Sequence, residues 1–327
     1  MYAENKHEGD TLAKPTLLII GVSGQIGYKL AKLASGKFSL HGTYNYRKVA
    51  LDSCETSQLD ITKENYTRKF VEELRPDIII NTSAIHAVDY CETNKEEAWK
   101  VNVVALENLT TTASKIGARL IGISTDYVFD GRKGNYTEDD EPSPLNYYGL
   151  TKLKGEKVLQ KLASYAIVRA GVVFGWTPLE TGSIESSSHK SINFALWCMA
   201  KLFTGQEIKV VTDQYANPTS DDNLAGVMIQ LTTSERNGIY NVAGLSCLNR
   251  YDFIIKFAQI MNFDTALVKP ITSDQLKQIA PRPKNVCLNC NKVMKDLGAK
   301  LLTIDESLQR MKKESEGEMY DLLHKIK

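Results

Sequence analysis

Residues 17–34 read LLIIGVSGQIGYKLAKLA: an unbroken apolar run from Leu17 to Ile20, the turn Gly21-Val-Ser-Gly24-Gln-Ile-Gly27, then a segment with apolar positions at helical spacing. A buried strand, a tight glycine turn and an amphipathic helix, in that order, make the first half of a βαβ unit. Gly21, Gly24 and Gly27 leave backbone N–H groups bare, and the helix that follows turns its positive end toward them, so a phosphate can settle there. Three glycines alone are weak evidence. Their place between strand and helix makes them specific.

Outward from this turn the rhythm repeats. The runs Leu17 to Ile20, Leu40 to Tyr44, Asp77 to Asn81, Arg119 to Ser124 and Ala166 to Arg169 read as strands. Helices are expected after Gly24, from an N-cap at Thr62 to a stop before Pro76, over about Lys95 to Ile116, and from about Tyr147 to Leu162. The expected fold class is α/β, a doubly wound parallel sheet covered on both faces. After Gly175 the pattern breaks into TPLETGSIESSSHKS, which reads as a long surface loop or lid over Thr177 to Ser191. Beyond it, Phe194 to Phe203, Asp222 to Leu231 and Arg250 to Met261 read as helices, and Ile208 to Val211 and Gly238 to Val242 as strands. The expected division is a disordered tail over 1–15, a nucleotide-binding domain over 16–175, and a smaller substrate domain over 176–327, partly interleaved with the first.

The bulk composition fits this. With 327 residues, 43% hydrophobic and 24% charged, the chain can fill one large core or two modest ones. Forty basic side chains against thirty-nine acidic ones create no field that would recruit nucleic acid or an anionic membrane. Met1 to Pro15 has no apolar core for a signal peptide, no later window is a membrane-length apolar run, and a cytoplasmic location is expected. Cys54, Cys91, Cys198, Cys247, Cys287 and Cys290 are then read as reduced thiols. The close pair Cys287 and Cys290 lacks a second ligand pair, and no metal site is expected.

Three further stretches carry chemistry. GTYNYRK at 42–48 ends the second strand with Arg47 and Lys48 and no carboxylate, so a ribose 2′-phosphate is favoured over a free 2′-hydroxyl: NADPH is the expected cofactor, with NADH possible. Asp60 and Ile61 follow the third-strand position, where an adenine amine can be met. Tyr148-Gly-Leu-Thr-Lys152 puts a phenol and an ammonium on one helix face. Hydride addition to a ketone leaves an alkoxide that must gain a proton, and an ammonium one turn away is expected to draw the phenol toward a useful acidity while also holding the nicotinamide ribose. Finally, Ser124-Thr125-Asp126 closes the fourth of these strands, at the end of the sheet where open α/β folds bind ligands. Thr125 can hydrogen-bond the same substrate oxygen as Tyr148, and Asp126 can bind a sugar hydroxyl.

With these elements together the chain resembles the extended short-chain dehydrogenases, built on a Rossmann-type fold, and within them the group of dTDP-4-dehydrorhamnose reductase and the regulatory β subunit of methionine adenosyltransferase. The likeness runs from Leu17 to about Leu308 and rests on GVSGQIG, NTSAIHAVDYCE, VNVVALENL, STDYVFDG, EDDEPSPLNYYGLTKLKGE, DQYANPT and RPKNVCLN. By position it implies that Gly24, Gln25 and Ile26 meet the pyrophosphate, that Asp60 and Ile61 meet the adenosine, and that Ala84, Ile85 and His86 line the nicotinamide. Thr125, Tyr148 and Lys152 would form the catalytic trio, with Arg282 and Asn285 near the nucleotide-sugar. The reductases often carry threonine at the position of His86 and tryptophan at that of Val172, so the sugar is less firmly implied than the reaction. Asp126 is followed by Tyr127, which leaves the acid–base pair of a 4,6-dehydratase incomplete. Two readings stand: a reductase of the C4 ketone of dTDP-4-dehydro-L-rhamnose, and an NADP(H)-binding subunit that docks on the methionine adenosyltransferase catalytic subunit without turning over a sugar. Partners under the first are the nucleotide-sugar substrate and a second copy in a homodimer.

Overall fold

A computed structural model describes residues 13–176 and 192–316. The expected tail therefore lies, up to residue 12, outside the described residues, and so does the expected lid Thr177 to Ser191.

The chain begins β1 (Thr16–Ile20), α1 (Gln25–Ala34), β2 (Ser39–Tyr44), β3 (Glu55–Gln58), α2 (Glu64–Leu74), β4 (Ile78–Asn81), α3 (Val88–Thr93) and α4 (Lys95–Trp99). A π turn over Lys100–Val104 leads into α5 (Ala105–Ile116), followed by β5 (Arg119–Thr125), α6 (Tyr147–Leu159), β6 (Tyr165–Ala170) and β7 (Val173–Phe174). The second half supplies α7 (Phe194–Phe203), β8 (Ile208–Val211), β9 (Tyr215–Ala216), β10 (Thr219–Ser220), α8 (Asp221–Thr232), β11 (Gly238–Asn241), β12 (Leu248–Asn249), α9 (Arg250–Ile260), β13 (Val268–Ile271), α10 (Ser273–Leu276), α11 (Asn291–Leu297) and α12 (Ile304–Ser315).

Seven strands form one sheet in the order β11-β6-β5-β4-β1-β2-β3, and every pairing within it is parallel. The expected doubly wound class is thus borne out. Side chains of β1 alternate between faces: Leu17 and Ile19 enter one core with α1 and α8, while Leu18 and Ile20 enter another with α2, α5 and α6. Burial on both faces is why the sequence there is continuously apolar rather than alternating. The edge strand β3, ETSQ, has no buried residue, which is why it shows only as a position in the sequence. β11 returns from the second half to pair with β6. A third core gathers α7, β8, α9, β13 and α12 around Phe174, Phe253 and Phe257.

Three readings need correction. The expected helix over Lys95 to Ile116 is interrupted by the π turn. Thr62 does not cap α2: its amide and hydroxyl both donate to Asp60 Oδ1, at 2.9 and 2.7 Å, and the helix starts after Lys63. Not all six cysteines are thiols, because Cys247 and Cys287 form a disulfide across 40 residues of sequence, with Cα atoms 5.7 Å apart. Compartment reasoning from sequence spacing missed it because the turn before β12 and the segment before α11 meet only in the fold.

Candidate active site

The glycine turn sits at the C-terminal end of β1. Gly21 adopts φ +88°, open to glycine at little cost, and a Cβ on Gly27 would fall 2.2 Å from the Gly21 carbonyl oxygen, so only glycine lets α1 approach the strand. Gly24 caps α1 with extended backbone and no side-chain hydrogen bond. By helix geometry the first-turn amides of Gln25, Ile26 and Gly27 have no partner within the helix and lie at its positive end, which fits a pyrophosphate. Arg47 donates to the Ser23 carbonyl at 2.9 Å, bringing its guanidinium beside the same turn. Asp60 lies at the end of β3 with one carboxylate oxygen spent on Thr62, next to the buried Ile61. Gln25 does more than flank the turn. Its amide donates to Asp221 Oδ2 at 2.8 Å, tying α1 to α8.

The reactive end is built by β5 and α6. Asn146 caps α6 by accepting from the Gly149 amide at 2.9 Å, and Glu92 accepts from the Tyr147 amide at 2.9 Å. Gly149 has no side chain to keep the helix off the end of β5: a Cβ there would lie 2.2 Å from the Tyr127 carbonyl oxygen. This close approach brings Tyr148 against Tyr127, edge to face at 6.2 Å, just beyond the point where Thr125 ends β5. Burial raises the Tyr148 phenol above its ordinary value, opposed by the hydrogen bond with Thr125. Lys152, one turn on, is pushed down to about 8 by burial, offset in part by the Glu156 charge. Thr125 pulls the phenol down, against burial and the neighbouring Asp126, Cys91 and Tyr127, which push it up. Asp126 accepts from Thr125 Oγ1 at 3.0 Å through Oδ1, its buried Oδ2 has no hydrogen-bond partner among the described residues, and burial lifts its carboxyl to about 7.

Ala84, Ile85 and His86 follow β4, with Ile85 buried and His86 exposed. Asn102, in the π turn, holds this loop: its Oδ1 accepts from the Ile85 amide and its Nδ2 donates to the Ile85 carbonyl, both at 2.9 Å, while Nδ2 also reaches Thr151 Oγ1 at 3.0 Å. The cofactor-side loop and the reactive helix are thus joined through one amide. VNVVALENL holds Asn102 in plain sight, but nothing in its residue types marks the π turn that aims it. Arg282 donates to Asp89 Oδ1 at 2.9 Å and to the Ala280 carbonyl at 2.7 Å, and Asn146 Nδ2 donates to the Pro281 carbonyl at 3.0 Å. Its guanidinium thereby fastens the 280–282 segment beside the start of α6. Asn285 accepts from the Cys287 amide at 3.2 Å and lies against Gly134, so its side chain is used on its own segment.

A family model described as the RmlD substrate binding domain matches residues 15–316. The chain belongs to that family. Among its relatives, the dTDP-4-dehydrorhamnose reductase of Aggregatibacter actinomycetemcomitans is 34% identical over 295 residues, covering 86% of this chain and 93% of that protein. Methionine adenosyltransferase 2 subunit beta of Xenopus laevis is 33% identical over 243 residues, covering 72% and 70%. The solved dTDP-4-dehydrorhamnose reductase of Bacillus anthracis, in complex with NADP, superposes with a TM-score of 0.79 at 26% identity over 92% of this chain and 99% of that one. The expected class, an NAD(P)H-dependent oxidoreductase on a Rossmann-type fold, is borne out. Among the described residues no helix is long and apolar enough to cross a membrane.

Proposed function

We propose that this protein is a cytoplasmic NADPH-dependent reductase of the C4 ketone of a nucleotide-linked sugar, converting dTDP-4-dehydro-L-rhamnose to dTDP-L-rhamnose. The observation that carries this reading is the close packing of α6 on the end of β5, which sets Tyr148 edge to face with Tyr127, with Lys152 one turn on, at the same end of the sheet as the uncapped start of α1. The reductase relative, alike over almost its whole length, supports the same substrate class.

A bound nicotinamide supplies the hydride. Tyr148 gives its phenolic proton to the oxygen that becomes an alkoxide, and Thr125 holds that oxygen and the phenol in one line. Lys152 grips the cofactor ribose and, by its charge, favours the phenolate left behind. Asp126, lifted by burial, offers the sugar a carboxyl able to donate as well as accept. Arg47 beside the glycine turn favours a 2′-phosphate. Tyr148→Phe should keep NADPH affinity and lose turnover by on the order of 10² to 10⁴, followed as NADPH consumption with a panel of dTDP-4-keto sugars; near-full turnover would remove Tyr148 from the proton step. Arg47→Asp should narrow or invert the preference for NADPH over NADH in calorimetry.

A second reading, an NADP(H)-binding regulatory subunit that docks on a methionine adenosyltransferase catalytic subunit, is favoured by the subunit beta relatives and by Val172 and His86 standing where reductases often differ. It takes the lead if the protein binds NADPH tightly yet turns over none of the keto sugars. Light scattering distinguishes the homodimer expected for the reductase from a monomer.

A further inference from the structure

Tyr148, Lys152 and Glu156 follow one another at single-turn intervals along α6. The first two belong to the proposed chemistry; the third does not, yet it is among the most tightly held side chains in the molecule. Glu156 is 3% exposed and Arg169, on β6, 1%. Arg169 grips the carboxylate with two prongs, Nε to Oε1 at 2.9 Å and Nη2 to Oε2 at 2.7 Å. Ser124, immediately before the substrate-side Thr125, donates to Oε1 at 2.5 Å. The guanidinium is itself stacked over the Phe129 ring at 5.0 Å.

Glu156 and Lys152 line the same small cavity with Ser124, Asn81, Ser83 and Asn102. Among the described residues, however, no carboxylate forms a salt bridge with the Lys152 ammonium; the Glu156 carboxylate is claimed by Arg169. Elements around α6 present few other charges: Cys91 on α3, a thiol that burial pushes up to about 12 and so keeps neutral, Glu92 and Glu97 beyond it, Asp126 after β5, and Tyr148 on α6 itself. Asn81, Ser83 and Asn102 do not ionise. A lysine drawn out of water with no countercharge loses its proton readily, whereas one locked in a direct ion pair is not available to a ligand.

We propose that Glu156 is a positioning residue for Lys152: anchored by Arg169 and Ser124, it holds a countercharge in the lysine's cavity without pairing to it, so that the ammonium stays charged and remains available to the cofactor ribose. This rests on the cofactor role proposed above for Lys152, and its test separates the two. In protein carrying ¹³C-labelled lysine, with the Lys152 signal assigned from Lys152→Met, NMR titration reads the lysine directly and needs no cofactor. Glu156→Gln should move the Lys152 midpoint down by about one pH unit, a tenfold change in its protonation equilibrium, while Ser124→Ala, which keeps the carboxylate and its arginine, should move it far less. An unmoved midpoint in Glu156→Gln, or an equal shift in Ser124→Ala, overturns the proposal. If Glu156→Gln does not fold, Arg169→Gln, which strips the carboxylate of its cation, should move the Lys152 midpoint up; a fall or no shift there overturns the proposal equally. NADPH affinity against pH is the second readout: the limb on which affinity falls as pH rises should move down with the Lys152 midpoint. A moved midpoint with an unmoved affinity limb upholds the Glu156 proposal and removes the ribose role from Lys152.

Discussion

Among the described residues, the charges gathered under the reactive helix and those behind the phosphate turn are built on opposite terms. Under the reactive helix, Glu156 meets Arg169 one to one, with Ser124 completing the carboxylate's hydrogen bonds. Behind the phosphate turn, Lys29 on α1 faces three carboxylates, Asp222 at 3.0 Å, Glu314 at 2.9 Å and Asp221 at 3.8 Å. The first cluster balances its charge by geometry. The second cannot, and balances it with protons: burial raises Asp221 and Glu314 each to about 7, despite the nearby ammonium, while Asp222, hydrogen-bonded by Glu314 and facing Lys29, ends below its ordinary value in spite of burial. A matched pair fixes a structure at every ordinary pH, whereas an excess of acids makes packing depend on pH.

The largest break in that contrast should come from Arg169→Met, which strands a desolvated carboxylate; unfolding in urea at pH 8 should show a loss of about 3 to 5 kcal/mol. A loss under about 1 kcal/mol would mean that water reaches the pair. Lys29→Met should cost less, about 2 kcal/mol at pH 8, because its acids can take up protons, and the cost should shrink at pH 5 where Asp221 and Glu314 are already neutral. Equal costs at the two pH values would contradict the excess-acid account.

The smallest effect tests the sign. A carboxyl whose pKa is raised on folding stabilises the native state fully below its unfolded value, and that contribution is lost as pH rises through the folded value, here between about 4 and about 7. Lys152 runs the other way: its lowered value means that stability is present above the unfolded lysine pKa and is lost as pH falls through about 8. Glu314→Gln should flatten the decline between pH 5 and pH 8 by less than about 1 kcal/mol, since Glu314 is partly exposed and screened. Denaturation midpoints across that range read it; a steeper decline than in the unaltered protein would reverse the assignment.

What could be read in advance follows from how local each signal is. The apolar runs Leu17–Ile20 and Ile78–Asn81 declare buried parallel strands because both of their faces are covered, and the glycine turn declares itself because only glycine fits its backbone. Tyr148 and Lys152 are legible because four residues of helix suffice to bring them together. Glu156 and Arg169 are 13 residues apart and join only once α6 lies on β6. Gln25 and Asp221 are separated by 196 residues, Asp89 and Arg282 by 193, and Cys247 and Cys287 by 40; no period or motif announces such meetings. Polar β3 escaped drawing for the opposite reason, since an exposed edge strand needs no apolar signature.

The π turn at Lys100–Val104 amounts to one surplus residue in what would otherwise be a single rod from Lys95 to Ile116. Such a surplus is a phase slip: it rotates everything downstream by about 100° relative to what precedes it. Ala98 can thereby face α3 and the small core around Ile85 and Cys91, while Leu106 and Leu109 face the sheet. Asn102, at the slip itself, is the residue whose amide reaches both the Ile85 backbone and Thr151. Excising a single residue from this turn would leave the composition almost untouched and yet restore one regular rod, turning one half away from the partners it now faces, so the length of the segment, counted to the residue, carries as much information as the side chains within it.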